Sequence, residues 1–145
     1  MKILFVCTGN TCRSPMAEAI FKDIADLSKF QVSSAGLLAF PGDSASNKAV
    51  IVCDNHGIDL THHRSRPLDQ SQIETADLVL TAEESHREKI RMLYPHVSVY
   101  TIKQYSGDYE NPDISDPISG DLKTYEDCFL EIKEALEKIL LENKL

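Results

Sequence analysis

Lys2-Ile3-Leu4-Phe5-Val6-Cys7-Thr8-Gly9-Asn10-Thr11-Cys12-Arg13-Ser14-Pro15 passes from an unbroken apolar run into a polar, turn-forming stretch and then into a helix start. Lys2–Val6 suits a strand buried on both faces, because polar residues do not alternate with the apolar ones. Ser14 and Pro15 read as the cap and first residue of a helix, and Ala17, Ile20, Phe21, Ile24 and Leu27 follow at the spacing of one helical face. Strand, loop and helix in that order open a βα unit.

The pattern then repeats. Phe30–Ser34 reads as a second strand, and Ala45, Ala49, Val52, Cys53 and His56 mark a second helix that Gly57 can end in the left-handed conformation. Asp77–Thr81 is a third strand, Glu83–Leu93 a helix that stops before Pro95, and Val97–Thr101 a fourth strand. Tyr125, Cys128, Phe129, Ile132, Leu136, Ile139 and Leu140 stripe a long last helix. Segments 36–44, 61–70 and 106–122 read as irregular. Short buried strands alternating with helices predict an α/β fold, a parallel sheet with right-handed crossovers and helices on both faces. Ligands of such sheets bind outside the carboxyl ends of the strands, which directs attention to the loop after the first one.

At 145 residues, with 42% hydrophobic and 26% charged residues, the chain is expected to be one globular domain spanning 1–145. Its longest apolar runs, such as Ile3–Val6, fall far short of the roughly 20 residues of a membrane span. No basic and then apolar leader precedes the first strand, and four cysteines do not make a disulfide framework. A cytoplasmic protein is therefore expected. A formal charge of −8 without a basic tract argues against nucleic-acid or membrane partners, so any anion must be held locally. The five histidines lack metal-site spacing, and neither metal nor cofactor is expected.

A local anion site is what residues 7–14 offer. A loop curling into a helix start turns successive N–H groups inward, and the helix dipole adds positive potential. Gly9 and Asn10 tolerate left-handed backbone angles, and Arg13 can grip two oxygens of a tetrahedral anion with its planar fork. Cys7 falls at the bottom of that cradle, where the N–H groups, Arg13 and the Ser14 hydroxyl would stabilise a thiolate, the nucleophilic form of cysteine.

The run Val6–Glu18 resembles the N-terminal signature of the low-molecular-weight protein tyrosine phosphatases, and the resemblance continues through Ser34-Ala35-Gly36, Gly57–Leu60, His63–Leu68, Ala76–Leu80 and Asp116-Pro117. It implies a flavodoxin-like three-layer sandwich with a four-stranded parallel sheet, and a metal-free two-step phosphatase acting on phosphorylated proteins. By the resemblance, Cys7 attacks phosphorus, Arg13 binds the equatorial oxygens, and Asp116 protonates the leaving group and then activates water. The phosphate-binding residues are Thr8, Gly9, Asn10, Thr11, Cys12 and Ser14; Asn10, Ser34 and His63 hold the loop. Cys12 pairs with Cys7 in a protective disulfide. Asp113 is a rival acid on the same loop, but only Asp116 precedes a proline.

Two positions bear on substrate. Thr11 stands where tyrosine-directed members usually carry an aliphatic residue, and Ile118 and Ser119 stand where many carry aromatics. The Cys-Thr-Gly-Asn-Thr-Cys-Arg-Ser-Pro form resembles the protein-arginine phosphatase branch, in which that second threonine selects phosphoarginine. Phosphoarginine is thus favoured over phosphotyrosine, with Thr11 as mere packing or a helix cap the plainer reading. Arsenate reductases of similar loop need a further close cysteine pair, which Cys53 lacks. A binding module without turnover would need neither Cys7 nor Asp116. Cys53 and Cys128 lie on apolar stripes and are expected in the core; Tyr105 and Tyr109 flank the acid loop as possible ligand contacts, although packing is the commoner fate of such tyrosines.

Overall fold

Strand β1 (Lys2–Cys7) is apolar throughout because both its faces are covered: Ile3 and Phe5 join one buried cluster, Leu4 and Val6 another. The computed structural model describes residues 1–142 and 144–145. In chain order, β1 is followed by α1 (Arg13–Ile24), β2 (Gln31–Gly36), α2 (Asn47–Asn55), α3 (Gln70–Thr75), β3 (Leu78–Thr81), α4 (Glu84–Leu93), β4 (Val99–Thr101), α5 (Ile102–Ser106) and α6 (Leu122–Leu141). All strand pairs are parallel, in the order β2-β1-β3-β4. Ile20 and Phe21 of α1 pack with Phe129, Ile132 and Leu136 of α6 on one face. Ile73 of α3 and Ile90 of α4 cover the other. This is the expected three-layer α/β sandwich.

The strand order places the site. The chain leaves β1 toward β2 on one side and later returns to β3 on the other, so the crevice lies outside the carboxyl ends of β1 and β3. Residues 8–12 and the residues after Thr81 meet there.

Several boundaries differ from the sequence reading. Helix α1 starts at Arg13 with Cys12 as its N-cap and no side-chain cap bond, so Ser14 is not the cap and Pro15 is not the first residue. The first N–H groups of a helix have no intrahelical acceptor, which lets the helix begin ahead of Pro15 and frees the Ser14 hydroxyl for another partner. Leu27 lies beyond the end of α1 and is exposed. Helix α3 overlaps the irregular segment 61–70 only at Gln70, and α5 runs from the end of the fourth strand to Ser106; the sequence reading assigns a helix to neither. Each opens on a capping box, Asp69 with Gln72 and Thr101 with Gln104, a pattern legible in the sequence and passed over. Gly57 does take the left-handed conformation, at φ 75°. Among the described residues no helix is long and apolar enough to cross a membrane.

Gly36, at the end of β2, is where β2 and the loop after β1 touch most closely. A Cβ there would lie 2.6 Å from the Thr8 carbonyl oxygen and 2.9 Å from the Asn10 nitrogen, both backbone atoms that cannot swing away. Gly36→Ala is therefore expected to lower unfolding stability by about 1–3 kcal/mol in a denaturant titration. A Cβ on Gly9 meets nothing closer than Thr11 Oγ1 at 3.7 Å, so Gly9→Ala should cost clearly less in the same titration.

Candidate active site

The loop after β1 is held by its carbonyls. Leu37 N donates to Cys7 O (3.0 Å), Leu38 N to Thr8 O (2.9 Å), Ser46 N to Thr11 O (2.9 Å) and Met16 N to Cys12 O (3.1 Å). His63 Nε2 donates to Asn10 O at 2.8 Å, which fixes its proton on Nε2. In a trans peptide the N–H points opposite to the carbonyl, so outward-bonded carbonyls turn the N–H groups of residues 8, 9, 11, 12 and 13 toward the loop's interior. The result is a cradle of donors that runs into the N-terminus of α1.

Asn10 is the pivot of that loop. It is fully buried and, at φ 55°, the only non-glycine residue with positive φ among those described. The expectation for Gly9 is corrected: it does not take positive φ, and the left-handed turn falls on Asn10 alone. Asn10 Oδ1 accepts from Arg66 N at 3.0 Å, while its Nδ2 donates to Ser14 Oγ at 2.8 Å and Ser34 Oγ at 3.0 Å. Both hydroxyls accept from the amide, so each has its own proton to give elsewhere. Ser34 gives its proton to Glu18 Oε1 at 2.6 Å. The Ser14 hydroxyl lies 2.9 Å from Cys7 Sγ at the closed end of the cradle, with Ala35 O at 3.4 Å as its other acceptor.

Arg13, the first residue of α1, is buried to 2% exposure. Its Nη1 donates to Ile114 O at 2.7 Å, whereas Nη2 lies 3.4 Å from Glu83 Oε2 and 3.6 Å from Asp116 Oδ2. Those carboxylates orient the guanidinium by charge without reaching the roughly 2.7–2.9 Å of a full charge-assisted bond. Asp116 is half exposed at the mouth, with Oδ1 accepting from Ile118 N. Its rival Asp113 is occupied: Oδ1 caps α4 through Glu84 N at 2.7 Å. The structure thus brings Cys7, Arg13, Asp116, Asn10, Ser14, Ser34 and His63 together.

Thr11 is half buried, with Oγ1 3.8 Å from Cys12 Sγ; it does not cap α1. Cys12 Sγ points away from solvent, 3.4 Å from both Ser46 Oγ and Tyr125 Oη. Burial, with the Cys12 contact next, pushes the Tyr125 hydroxyl up to about 12. All four cysteines are free thiols. Burial likewise pushes Cys53 and Cys128 up to about 12, as suits core residues. Tyr105 donates to Lys144 O at 2.8 Å and lies tilted against the Tyr100 ring, so it packs and does not face the site.

Sequence reasoning missed Glu83 and His86. His86 is 5% exposed, and its Nε2 lies 2.9 Å from Thr8 Oγ1 and 3.2 Å from Glu83 Oε2. Desolvation, then the positive charge of Arg13, holds its pKa below the usual histidine value, so the ring is neutral near pH 7. Exposed Leu38 and Phe40, on the loop after β2, were also passed over.

The profile of the low molecular weight phosphotyrosine protein phosphatases matches residues 2–145. A protein-arginine-phosphatase of Bacillus subtilis (strain 168) is 39% identical over 149 residues, covering 99% of this chain and 97% of that protein. A low molecular weight protein-tyrosine-phosphatase, PtpB of Staphylococcus epidermidis, is 34% identical over 146 residues, covering 99% of this chain and 100% of that one. A solved structure of the YwlE arginine phosphatase, a mutant with a phosphorylated active-site serine, superposes with a TM-score of 0.91 at 38% identity, over 98% of this chain and 95% of that one.

Asn10→Ala removes three side-chain hydrogen bonds and leaves a Cβ-bearing residue at φ 55° without asparagine's local compensation. At about 1 kcal/mol per bond, plus about 1–2 for the left-handed angle, a loss of about 4–5 kcal/mol is expected on unfolding. Asn10→Gly should lose less, since it keeps the angle; equal losses would remove the backbone from the account.

Proposed function

Because the chain belongs to the low molecular weight phosphotyrosine protein phosphatase family, we propose that it hydrolyses phosphorylated protein side chains through a phosphocysteine on Cys7, with phosphoarginine the favoured substrate. The observation that carries this reading is the Asn10–Ser14–Cys7 chain, which sets a hydroxyl 2.9 Å from a sulfur seated at the floor of an N–H cradle. A binding module has no use for a stabilised thiolate there.

In the first step the Cys7 thiolate attacks phosphorus, the S–P bond forms and the bond from phosphorus to the leaving nitrogen or oxygen breaks. The inward N–H groups and Arg13 take the charge of the equatorial oxygens, the main requirement of phosphoryl transfer. Asp116, at the mouth and 3.6 Å from Arg13, gives its proton to the leaving group. In the second step its carboxylate takes a proton from water, which attacks phosphorus and releases phosphate and the thiolate. No metal enters this scheme.

Phosphoarginine is favoured because the leaving group is a planar guanidine that forms a cation on departure. Thr11 offers it a hydroxyl, and Asp116 and Glu83 offer carboxylates. The relatives named arginine phosphatases point the same way. Phosphotyrosine is the second reading, favoured by the exposed ring of Phe40 on the loop that Leu38 N ties to Thr8 O. Cys12 is read as the thiol that pairs with Cys7 on oxidation, which fits a reducing, cytoplasmic setting.

Cys7→Ser should abolish turnover while inorganic phosphate still binds; turnover surviving that change would reject the nucleophile. Asp116→Ala should slow a poor leaving group by about 10²–10⁴-fold and an activated aryl phosphate far less. Equal loss on both substrates would make Asp116 structural. Side-by-side assay of phosphoarginine and phosphotyrosine proteins, with reductant present, decides the substrate. Thr11→Ile should shift that ratio toward phosphotyrosine; an unchanged ratio returns Thr11 to a packing role.

A further inference from the structure

Lys48 stands where helix physics does not call for a lysine. Ser46 caps α2, so Lys48 is the second residue inside the helix, and the first turn carries no acidic residue. The dipole at a helix N-terminus favours a carboxylate and opposes an ammonium. What the side chain meets lies outside its own helix: Lys48 Nζ donates to Gly120 O at 2.7 Å, from 72 residues away in sequence.

Gly120 closes the turn that follows Asp116. Its N–H donates to Pro117 O at 2.7 Å, and at the start of the same turn Ile118 N donates to Asp116 Oδ1 at 3.1 Å. The Asp116 carboxylate is therefore aimed by the turn, and where the turn sits decides where the carboxylate sits. The chain on either side is pinned. Ile114 N donates to Ala82 O at 2.8 Å and Ile114 O accepts from Arg13 Nη1, while Asp121 caps α6 through Thr124 N at 2.9 Å. Between those points, among the described residues, segment 115–120 has one hydrogen bond of ordinary length to another element, and Lys48 makes it. The other contacts are long, Cys128 Sγ to Ser115 O at 3.9 Å and Arg13 Nη2 to Asp116 Oδ2 at 3.6 Å. A charge-assisted bond at 2.7 Å is the strongest tie the segment has.

The start of α2 also holds the cradle. Two residues before Lys48, Ser46 N donates to Thr11 O at 2.9 Å. One helical turn thus grips the loop after β1 through Ser46 and the turn after Asp116 through Lys48. We infer that Lys48 is a positioning residue: its ammonium fixes the 117–120 turn to the first turn of α2, and so sets the Asp116 carboxylate in register with the cradle. This inference rests on Asp116 as the acid of the proposed phosphatase.

The test compares Lys48→Met, Lys48→Arg, Asp116→Ala and the Lys48→Met/Asp116→Ala double variant. Each is assayed for kcat/KM on phenyl phosphate, whose leaving group needs a proton, and on p-nitrophenyl phosphate, whose leaving group departs without one. Amide exchange at Ile118 and Gly120 is followed in parallel by NMR. Lys48→Met should lower kcat/KM on phenyl phosphate by about tenfold, a share of the about 10²–10⁴-fold that a positioned acid supplies, and on p-nitrophenyl phosphate by less than about twofold. Its Ile118 and Gly120 amides should exchange faster while Tm stays unchanged, since Lys48 is exposed. Lys48→Arg, which keeps a charged donor, should recover most of the loss. With Asp116 already replaced by alanine, Lys48→Met should cost less than about twofold on either ester. Equal losses on the two esters, no loss on either, or a loss undiminished without Asp116 overturns the inference. Amide exchange does not depend on turnover. A parent that hydrolyses neither ester, while Lys48→Met still loosens the two amides, sinks the phosphatase reading and leaves Lys48 as the anchor of the turn; unchanged amides remove the anchor whatever the kinetics show.

Discussion

The structure of the site depends on one constraint: the carbonyls of residues 7, 8, 10, 11 and 12 are all bonded outward, to Leu37, Leu38, His63, Ser46 and Met16. A peptide plane cannot turn one end without the other, so fixing the oxygens aims the N–H groups inward before any ligand arrives. The preorganisation that stabilises developing charge is thus an outcome of strand, helix and loop packing. Gly36 lets the end of β2 come close enough for Leu37 and Leu38, just beyond it, to supply two of those donors, and Asn10 makes the left-handed step that keeps the loop tight. The two histidines complete the frame from opposite sides. His63 bonds Asn10 from the β2 flank and His86 bonds Thr8 from the β3 flank.

What could be read in the sequence was whatever lies close together in it. Cys7 to Pro15 is one contiguous run between a strand and a helix, and its residue types announce an anion loop. The βα order fixed the parallel sheet for the same reason, since each crossover is a local event. Ser14 misled because serine before proline is a common cap; the competing partner, Cys7 Sγ at 2.9 Å, becomes visible only when the loop is folded. The capping boxes of α3 and α5 are legible, but each opens a helix of only 6 or 5 residues, too short to show the apolar spacing on which the reading relies.

Glu83 and His86 were out of reach for a different reason. They lie 70 residues and more from Arg13 and Thr8 in sequence, and only the adjacency of β1 and β3 carries them to the loop. On their own they resemble an ordinary helix start, acidic residues followed by a histidine. Asp113 and Asp116 show the converse. Sequence separated them only by the following proline, whereas the structure separates them by work: one carboxylate caps α4, the other stands at the mouth beside Arg13.

The charge arrangement follows from how the anion is held. The chain carries −8 overall, and Arg13 Nη2 has two carboxylates within 4 Å. A site that drew phosphate by formal charge would be poorly served by such neighbours. On the proposed reading, oriented N–H groups and a helix N-terminus, which act over a few ångströms and carry no net charge, join Arg13 in holding the anion. That leaves the carboxylates at the mouth free for the other half of the substrate. On the proposed reading, Asp116 gives a proton to the departing group, and the negative surroundings favour a departing group that leaves as a cation over one that leaves as a neutral phenol. On the proposed function, the acidic mouth and the cradle divide the work: dipoles and Arg13 hold the phosphoryl group, and the charge of the mouth selects the leaving group.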